Sequence, residues 1–450
     1  MLMIPIVTPS EMKSIDASSD QPLDVLIQRA GSAVAWSARK FLSGTYGKRV
    51  VVIYGKGNNG KDGRVAASYL RKWGIKTIEF SVSETPKQLP KCDLVIDAAY
   101  GTGIRGEYFA PITDAPVMAV DIPSGIDGLT GEVMGFPMHS NRTITFQALK
   151  PGHLIPPGSN YVGDIEIIDI GLNTSCIETF LVQRSDITTW LPKKLTTEHK
   201  WKSACWIIGG SAGMDGALSL AAEAAQRAGS GYVRISTPGT MPIGPIEAVS
   251  HFIAEEGWEY DFQNNADRFS SGIIGPGLAV SSSNIKSIQK AVSDSEIPLV
   301  VDGGAIKALG ENLEILQARK SDTIFTPHER EFEDLVGSRP SPRRIEDVRS
   351  AAKLTNSIVL LKGPITVVAD PEGRCLVVAN GDHRLATAGT GDVLAGIIGA
   401  FLAQGVPSME AAAMGAWVHA EAGQFSFKYG MVASDLVNLI PEVLHETDVG

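Results

Sequence analysis

Short hydrophobic runs alternate with amphipathic stretches along the first part of the chain. The runs at 50–54, 94–96 and 117–120 are continuously apolar, a pattern typical of strands buried on both faces of a parallel sheet. Between the first two runs, the stretch 63–73 carries apolar side chains at helical spacing. Because strand and helix alternate, we predict an α/β domain here.

The same pattern restarts further along the chain. The predicted strands are 206–208, 232–236, 273–274, 298–301, 322–325, 358–361, 365–369 and 375–379, and the predicted helices are 215–228, 346–355, 392–404 and 408–427. Before them, the polar and basic segment 184–203 has no sustained period, as is typical of a linker. The sequence therefore predicts one α/β domain over 1–183, a linker over 184–203 and a second α/β domain over 204–450.

Composition narrows the class of protein. The chain has 450 residues, of which 44% are hydrophobic and 20% charged, which excludes a disordered chain. The net charge of −10 repels phosphate backbones, so nucleic acid and anionic membranes are poor partners. No apolar run approaches the ~20 residues that cross a bilayer, and the first residues do not resemble a signal peptide. We therefore expect a cytoplasmic protein.

The four cysteines do not indicate a metal site or a disulfide framework. Cys92, Cys176, Cys205 and Cys375 are far apart in sequence and form no C-x-x-C pair. Zinc sites and small disulfide scaffolds both need closely spaced cysteines or histidines. We expect reduced thiols in packing positions.

Three glycine-containing loops follow the three predicted strands of the first domain. They read GKGNNGKDG at 55–63, DAAYGTGIRGE at 97–107 and DIPSGIDG at 121–128. Because the carboxyl ends of parallel strands meet at one edge of a sheet, the loops converge where open α/β folds bind ligands. The glycines of the first loop allow backbone N–H groups to face an anion at a helix N-terminus. We therefore predict a phosphate-binding site at this edge.

The aspartates of these loops also have a structural interpretation when each is taken alone. Asp62 is then the N-cap of the following helix. Asp97 and Asp121 then only bond the loop that follows each strand. The functional interpretation depends on all three loops occurring together.

The strongest motif of the second half is ATAGTGD at 386–392, directly before a predicted helix. Gly389, Thr390 and Gly391 present N–H groups at the helix N-terminus, with Asp392 among them. Such donors stabilise charge on a transferring phosphoryl group, while a carboxylate deprotonates the attacking hydroxyl. The motif therefore predicts phosphoryl transfer, and a helix cap at Asp392 is the alternative.

Taken together, the loops of the first half and FQALKPG at 146–152 resemble the N-terminal epimerase domain of the bifunctional NAD(P)H-hydrate repair enzymes. The resemblance covers roughly 1–180. It implies a Rossmann-like fold that interconverts the R and S hydrates of NADH and NADPH at C6 of the nicotinamide ring. The implied substrate-binding residues are Asn58, Asn59, Gly60, Lys61, Asp62, Gly101, Thr102, Gly103, Ile104, Arg105, Gly106, Glu107 and Asp121.

The same resemblance implies a metal site and catalytic groups. Asn59, Asp97 and Ser124 would bind a potassium ion through oxygen, the ligand type of hard cations. Asp121 is the candidate for acid/base catalysis, and Lys150 is the second candidate. The family usually has glycine at the position of Lys61, where a cation can help bind a phosphate or crowd it.

In the second half, GPG at 275–277, TPH at 326–328 and the turn KGPIT at 362–366 accompany the GTGD motif. Together they resemble the ribokinase-like superfamily and, more narrowly, ADP- or ATP-dependent NAD(P)H-hydrate dehydratase, over roughly 195–445. The resemblance implies hydrate contacts at Ala217, Gly277, His328 and Asp392. It implies nucleotide contacts at Lys362, Gly363, Pro364, Ile365, Thr366, Ala388, Gly389, Thr390 and Gly391.

The implied chemistry is a phosphorylation followed by an elimination. Asp392 takes the proton of the C6 hydroxyl of the S hydrate, the hydroxyl attacks the terminal phosphate, and phosphate leaves to give NADH or NADPH. A magnesium ion accompanies the nucleotide. ADP is the expected donor and ATP the alternative. The chain departs from the family at Glu329-Arg330, where proline-glycine is usual, and at 199–201 and 302–304.

Three other functions remain open on the sequence alone. Gly209 to Gly213 match the G-x-S-x-G motif of hydrolases, with Asp302 and His328 following in the hydrolase order, but no oxyanion motif accompanies them. A ribokinase-like kinase of a small alcohol would share Asp392. The first domain alone could also serve as a non-enzymatic sensor of pyridine nucleotides. An assembly of several copies is compatible with each of these functions.

Overall fold

A computed structural model describes residues 3–193 and 196–449 of the chain. The chain forms two compact units, one of Ile4–Thr179 and one that runs from Phe180 onward and includes Met3. The outer limits of the two predicted domains, at 1–2 and 450, and positions 194–195 of the predicted linker lie outside the described residues. No helix in 3–193 or 196–449 is long and apolar enough to span a membrane.

The N-terminal unit alternates strands and helices, as predicted. Its strands are β1 (Ile4–Pro5), β2 (Arg49–Tyr54), β3 (Lys76–Ser81), β4 (Leu94–Ala98), β5 (Tyr108–Phe109), β6 (Val117–Val120), β7 (Gly135–Phe136), β8 (Arg142–Phe146) and β9 (Asp164–Ile168). Its helices are α1 (Pro9–Ala17), α2 (Leu23–Phe41), α3 (Asn58–Lys72) and α4 (Pro151–Leu154). A further strand, β10 (Thr179–Leu181), lies where the two units divide.

The main sheet of this unit has the strand order β3-β2-β4-β6-β8-β9, and all its neighbouring strands are parallel. The chain moves outward from β2 to β3 and then returns across β2 to form β4. The order therefore reverses between β2 and β4, and doubly wound sheets bind ligands at such a switch point. The first two predicted glycine loops follow these two strands.

Helix α3 begins earlier than predicted. It starts at Asn58 with Gly57 as its N-cap, so Asp62 lies in the second turn and the prediction that it caps the helix is wrong. The glycines of the loop allow the helix to start this close to the sheet. A Cβ on Gly60 would lie 2.0 Å from the carbonyl oxygen of Gly55, and one on Gly63 would lie 2.5 Å from Cβ of Ala98.

The second unit contains a larger sheet. Its strands are β11 (Ala204–Ile208), β12 (Tyr232–Ser236), β13 (Val249–Ser250), β14 (Ser271–Ile274), β15 (Leu299–Val301), β16 (Thr323–Phe325), β17 (Ile358–Leu361), β18 (Thr366–Ala369) and β19 (Cys375–Val378). They follow the order β19-β18-β17-β16-β15-β14-β11-β12-β13. The pairs from β17 to β13 are parallel, whereas β17, β18 and β19 are antiparallel.

Helices flank this sheet, and the predicted ones are all present. They are α5 (Arg184–Trp190), α6 (Asp215–Arg227), α7 (Trp258–Asn265), α8 (Ser282–Asp294), α9 (Gly304–Gly310), α10 (Glu314–Gln317), α11 (Glu329–Val336), α12 (Arg344–Thr355), α13 (Thr390–Ala403), α14 (Ser408–Phe425) and α15 (Ala433–Val449). Helix α13 is buried from Val393 to Ala403, as expected of a helix that is apolar on all sides. Gly396 lets α13 approach α6, since a Cβ there would lie 2.2 Å from the oxygen of Ala221.

Part of the predicted linker is helical. Helix α5 packs within the second unit: Ile187 is fully buried, and Arg184 forms an ion pair with Glu421 of α14 at 2.8 Å. The hydroxyl of Thr188 donates to the carbonyl of Thr447. The prediction of irregular structure is therefore wrong for Arg184–Trp190, because this short helix is stabilised by tertiary contacts rather than by its own periodicity.

Candidate active sites

The N-terminal unit contains a cavity of about 1050 Å³ at the carboxyl ends of β2 and β4, where the strand order reverses. Most of the predicted substrate-binding residues line it: Asn58, Asn59, Lys61, Asp62, Gly101, Thr102, Gly103, Ile104 and Asp121, together with Lys150. The predicted Gly60, Arg105, Gly106 and Glu107 are not among its lining residues. Gly60, in the first turn of α3, instead packs against the backbone of Gly55.

An ion pair lies in this cavity. Nζ of Lys150 is 2.6 Å from Oδ1 of Asp121, and the lysine side chain is only 1% exposed. The ammonium also donates to Oγ1 of Thr145 at 2.8 Å. Burial alone would raise the pKa of Asp121, but the nearby Lys150 outweighs it and holds that pKa below its usual value. Asp121 is therefore ionised at neutral pH.

His153 supports the backbone of both members of this ion pair. Its Nε2 lies 2.8 Å from the carbonyl oxygen of Asp121, and its Nδ1 lies 3.1 Å from the backbone N–H of Lys150. A carbonyl only accepts, so Nε2 carries the proton and Nδ1 accepts. Burial and the charge of Lys150 lower the pKa of His153 to about 4, so the ring is neutral. The sequence analysis did not identify this histidine, whose only signal is its place three residues after Lys150.

Asp62 has the opposite protonation state from Asp121. Its side chain is buried, and burial together with repulsion from Asp121 raises its pKa to about 8. Asp16 of α1 also lines the cavity, and burial raises its pKa as well. At pH 7 the cavity therefore holds a protonated carboxyl at Asp62 and an ionised one at Asp121, an arrangement that supplies both an acid and a base. The sequence analysis did not identify Asp16.

Of the three predicted potassium ligands, Asp97 and Ser124 are buried, and Asn59 is half-buried with a buried side-chain amide. Asp97 is fully buried and accepts from the backbone N–H and the hydroxyl of Ser124, at 3.0 and 2.7 Å. Burial raises the pKa of Asp97. Oδ1 and Nδ2 of Asn59 are buried without a hydrogen-bond partner among the described residues. A buried carboxylate and an unpaired amide oxygen are the oxygen ligands that a hard cation selects, so the residues present fit such an ion.

In the second unit, the GTGD motif forms the start of α13. The helix begins at Thr390 after Gly389, whose φ of +90° is the left-handed region that favours glycine. Asp392 lies in the first turn, so the alternative that it caps the helix is wrong. The Thr390 hydroxyl donates to the carbonyl groups of Leu385 and Thr387, which fixes the loop. The backbone N–H of Thr390 donates to the carbonyl of Thr387 at 3.3 Å, so the N–H of Gly391, in the same turn, is the donor left for an anion.

Acidic groups and one lysine surround Asp392. Nζ of Lys362 lies 3.0 Å from Oδ1 of Asp302 and 3.6 Å from Oε2 of Glu331, and a Cβ on Gly391 would lie 3.3 Å from the same ammonium. Burial and repulsion by Asp302 raise the pKa of Asp392 to about 6. The pKa of Lys362 is also raised, because Asp302 and Glu331 outweigh the effect of burial.

Lys362, a predicted nucleotide contact, is held beside the start of α13. Its ammonium is paired with Asp302. Asp302 in turn accepts from the Thr326 hydroxyl at 2.7 Å. The sequence analysis did not include Asp302 or Glu331 in the site. The only signals for them were a strand ending at Asp302 and a glutamate three residues after His328, as in a capping box.

The predicted hydrate contacts are brought together only in part. A Cβ on Gly277 would lie 2.9 Å from Cβ of Ala217, so these two residues are adjacent. His328 is the N-cap of α11, and its Nδ1 accepts from the backbone N–H groups of Arg330 and Glu331. Its backbone N–H donates to Oε2 of Glu331 at 2.9 Å. Glu331 in turn lies 3.6 Å from the ammonium of Lys362.

The predicted nucleotide loop after β17 is partly buried. Ile365 is 3% exposed, so its side chain belongs to the core. Nη2 of Arg344 donates to the carbonyl of Lys362 and would clash with a Cβ on Gly363. Pro364 lies in the turn and Thr366 begins β18. Ala388 is exposed directly before Gly389.

The geometry excludes the hydrolase interpretation. The Ser211 hydroxyl donates to the carbonyl of Gly277 at 2.8 Å. Asp302 bonds Thr326 and Lys362, and His328 caps α11. In the described part of the chain, no hydrogen bond joins Ser211, His328 and Asp302, as a catalytic triad would need.

Comparisons with known proteins agree with the resemblance of both halves. Residues 205–443 match the family model described as NAD(P)H-hydrate dehydratase, and residues 23–90 and 71–152 match the model described as YjeF-related protein N-terminus. A ribokinase-like superfamily protein from Enterococcus faecalis V583 covers 60% of this chain and 96% of its own, with a TM-score of 0.52 at 20% identity. That likeness shows a ribokinase-like fold, as predicted.

Similarity to curated relatives extends over both units. A bifunctional NAD(P)H-hydrate repair enzyme of Moorella thermoacetica is 30% identical over 98% of this chain and 97% of its own. One of Mycobacterium tuberculosis is 33% identical over 87% of each chain. The chain therefore belongs to the family of bifunctional NAD(P)H-hydrate repair enzymes.

Proposed function

We propose that this chain converts the hydrates of NADH and NADPH back to NADH and NADPH in two steps, one in each unit. The N-terminal unit interconverts the R and S hydrates at C6 of the nicotinamide ring. The second unit dehydrates the S hydrate with ADP as phosphoryl donor and ATP as the alternative. We propose the cytoplasm as its location, because NADH, NADPH and ADP are all used there.

For epimerisation, the observation that carries the proposal is the pair of carboxyl groups with opposite protonation in one cavity. Asp121 accepts the proton of the C6 hydroxyl while the C–O bond becomes a carbonyl. The N1–C6 bond breaks, and N1 takes the proton of Asp62. The aldehyde group then rotates, and N1 attacks the opposite face of its carbonyl carbon. Asp121 returns its proton to the oxygen, and N1 returns its proton to Asp62. Lys150 keeps Asp121 ionised, and the loops at 58–62 and 101–107 hold the phosphates and ribose.

Asn59, Asp97 and Ser124 are the proposed potassium ligands in this unit. The support is twofold: the buried amide of Asn59 has no partner among the described residues, and the carboxylate of Asp97 is fully buried and bonded to Ser124. A bound potassium ion would neutralise that carboxylate and fix the loops that carry the substrate contacts.

For dehydration, the observation that carries the proposal is Asp392 in the first turn of α13, behind the Gly389 turn. Asp392 accepts the proton of the C6 hydroxyl, and the hydroxyl oxygen attacks the terminal phosphorus of ADP. The backbone N–H of Gly391 stabilises the charge on the transferred group. The C6–O bond then breaks with loss of phosphate, and a proton leaves C5 to give the dihydronicotinamide.

The remaining contacts follow from the family motifs. Ala217, Gly277 and His328 are the proposed hydrate contacts, and the segments 362–366 and 388–391 the proposed nucleotide contacts. Lys362 belongs to the first of these segments, and its ammonium compensates the charges of Asp302 and Glu331. A magnesium ion bound to the nucleotide phosphates would neutralise charge during transfer.

The proposal is tested by the absorbance at 340 nm after the purified chain is added to a mixture of R and S NADH hydrate with magnesium, potassium and either ADP or ATP. We expect recovery of NADH from both epimers with equimolar release of phosphate. Recovery that stops at the S fraction would exclude epimerisation. No recovery with either nucleotide would favour the small-alcohol kinase.

A further inference from the structure

The cavity of the N-terminal unit has a basic end that the epimerisation chemistry does not use. Lys56, Lys61 and Arg64 line it, and they come from the end of β2 and the first turns of α3. Asp121 and Lys150 follow β6 and β8 instead. Two strand spacings, or about 10 Å, separate β2 from β6 in the sheet. The basic residues and the Asp121–Lys150 pair therefore follow different strands along the same edge of the sheet.

The charges at this end are only partly compensated by acidic side chains. Nζ of Lys61 donates to the amide oxygen of Asn58 at 3.3 Å. Arg64 forms a long ion pair with Glu79, 3.9 Å from its Nε, and Arg71 shares this carboxylate. The chain as a whole is acidic, at −10. Three cations that line one cavity of such a protein indicate an anionic ligand.

The guanidinium of Arg64 is also oriented. It lies over the ring of Tyr54, 5.3 Å from its centroid. Stacking on an aromatic ring leaves the planar N–H edge of an arginine available, and that edge matches the oxygens of a phosphate. Arg64 is 64% exposed, so a ligand can reach it.

The end of β3 next to these cations lacks an acidic lining residue. Ser81, Val82 and Ser83 line the cavity there, and the following Glu84 accepts from the Ser81 hydroxyl at 2.5 Å. In dinucleotide-binding folds, a carboxylate after the second strand binds the ribose 2′-hydroxyl, whereas an arginine nearby accommodates a 2′-phosphate. Here β3 is the second strand of the sheet in chain order, and the neighbouring groups are serines and Arg64.

We propose that the basic end of this cavity binds the 2′-phosphate of the substrate, with Arg64 as the principal contact and Lys56 and Lys61 beside it. The epimerase unit then prefers the hydrate of NADPH to that of NADH. This inference rests on the proposed epimerase function and adds a specificity-determining residue to it. The pyrophosphate, common to both substrates, binds the N-terminus of α3.

The test compares kcat/KM for epimerisation of the two hydrates by the full chain and by Arg64→Gln. We expect the unchanged chain to prefer NADPH hydrate by about 10- to 100-fold, the usual worth of hydrogen bonds to a charged group. Arg64→Gln removes most of that preference by raising KM for NADPH hydrate, while the values for NADH hydrate stay within about twofold. Lys72→Gln is the matched control, because Lys72 lies on the same helix but does not line the cavity.

Equal kcat/KM for both hydrates in the unchanged chain would overturn the inference. An equal loss on both hydrates in Arg64→Gln would do the same, because it would assign the arginine to the pyrophosphate. Calorimetric binding of NADP⁺ and NAD⁺ separates this inference from the epimerase function. Tighter binding of NADP⁺ that is lost in Arg64→Gln supports the 2′-phosphate site even if neither hydrate is epimerised. Equal binding of the two nucleotides contradicts it.

Discussion

Lys150 and Asp121 form an ion pair of 2.6 Å in which the lysine is almost fully buried. The two residues come from different loops, one after β6 and one after β8, and His153 bonds the backbone of both. This pair joins the stability of the N-terminal unit to its chemistry, because the same ammonium that compensates the carboxylate also keeps it ionised.

Lys150→Met should therefore affect both stability and epimerisation. It leaves the Asp121 carboxylate without its cation, and breaking a buried ion pair from one side costs about 3–5 kcal/mol. We expect faster hydrogen–deuterium exchange in β2, β4 and β6, with unchanged exchange in the strands of the second unit. The double variant Lys150→Met/Asp121→Asn should recover most of the protection but none of the activity. Unchanged exchange in Lys150→Met would contradict the assignment.

The raised pKa of Asp392 predicts how the rate of dehydration depends on pH. Its pKa of about 6 lies above the usual value because of burial and of Asp302, and only the ionised form accepts a proton. The kcat/KM for dehydration of pure S hydrate should fall tenfold per pH unit below about 6 and be level above 7. The groups that set this value are Asp302, Glu331 and Lys362.

Asp302→Asn provides the matched test of that pH dependence. It removes one repelling charge and frees Lys362 to attract Asp392, so the pKa of Asp392 should fall and the acid limb should move to lower pH. The measurement is the pH profile of initial rates in both proteins. An acid limb that stays in place in Asp302→Asn would show that another group titrates.

Gly55 and Gly57 lie two residues apart but should differ in how well they tolerate substitution by alanine. A Cβ on Gly55 would lie 2.0 Å from the carbonyl oxygen of Ala99, whereas one on Gly57 would meet no atom within 4 Å. Gly55→Ala forces β2 and β4 apart at the switch point and should cost about 1–3 kcal/mol or more, with loss of epimerisation. Gly57→Ala should cost less, about 1 kcal/mol, because it replaces the N-cap of α3 without a clash. The comparison uses soluble yield and hydrogen exchange of β4, and equal behaviour of the two variants would refute the close approach.

Potassium should protect the loops at the base of the first cavity. We expect potassium, added to the chain in N-methylglucamine buffer, to slow hydrogen exchange in the segment 97–101, because the ion links Asp97 to Asn59. Asn59→Leu should abolish the response, and Asn58→Leu should retain it, since Asn58 is exposed. Equal exchange with and without potassium in the unchanged chain would argue against this metal site.

The sequence predicted the elements of both units well where hydrophobic runs were long. Val50 to Ile53 are all fully buried, and strands such as Val117–Val120 and Ile358–Leu361 have the predicted bounds. The family prediction is confirmed, because the motifs after these strands are closely spaced and specific. Both rest on local pattern, which a sequence displays directly.

Contacts between distant segments could not be predicted in this way. The pairing of Lys362 with Asp302 joins residues sixty positions apart, and only the parallel pairing of β15, β16 and β17 brings their ends together. Asp16 lines the first cavity because α1 packs beside it. Helix α3 begins before the predicted residue 63, because a glycine-rich start masks the apolar period. The roles of the individual site residues stay predictions.

If the proposed function is right, the two units catalyse two separate steps on a diffusible hydrate. Complementation between Asp121→Asn and Asp392→Asn tests it most directly, with recovery of NADH from a mixture of R and S hydrate followed at 340 nm in the presence of ADP. We expect Asp121→Asn alone to recover rapidly only the S fraction, and Asp392→Asn alone to be slower by about 10²–10⁴-fold. An equimolar mixture of the two variants should recover both epimers at nearly the rate of the unchanged chain. A mixture that recovers no more than Asp121→Asn alone would contradict the account.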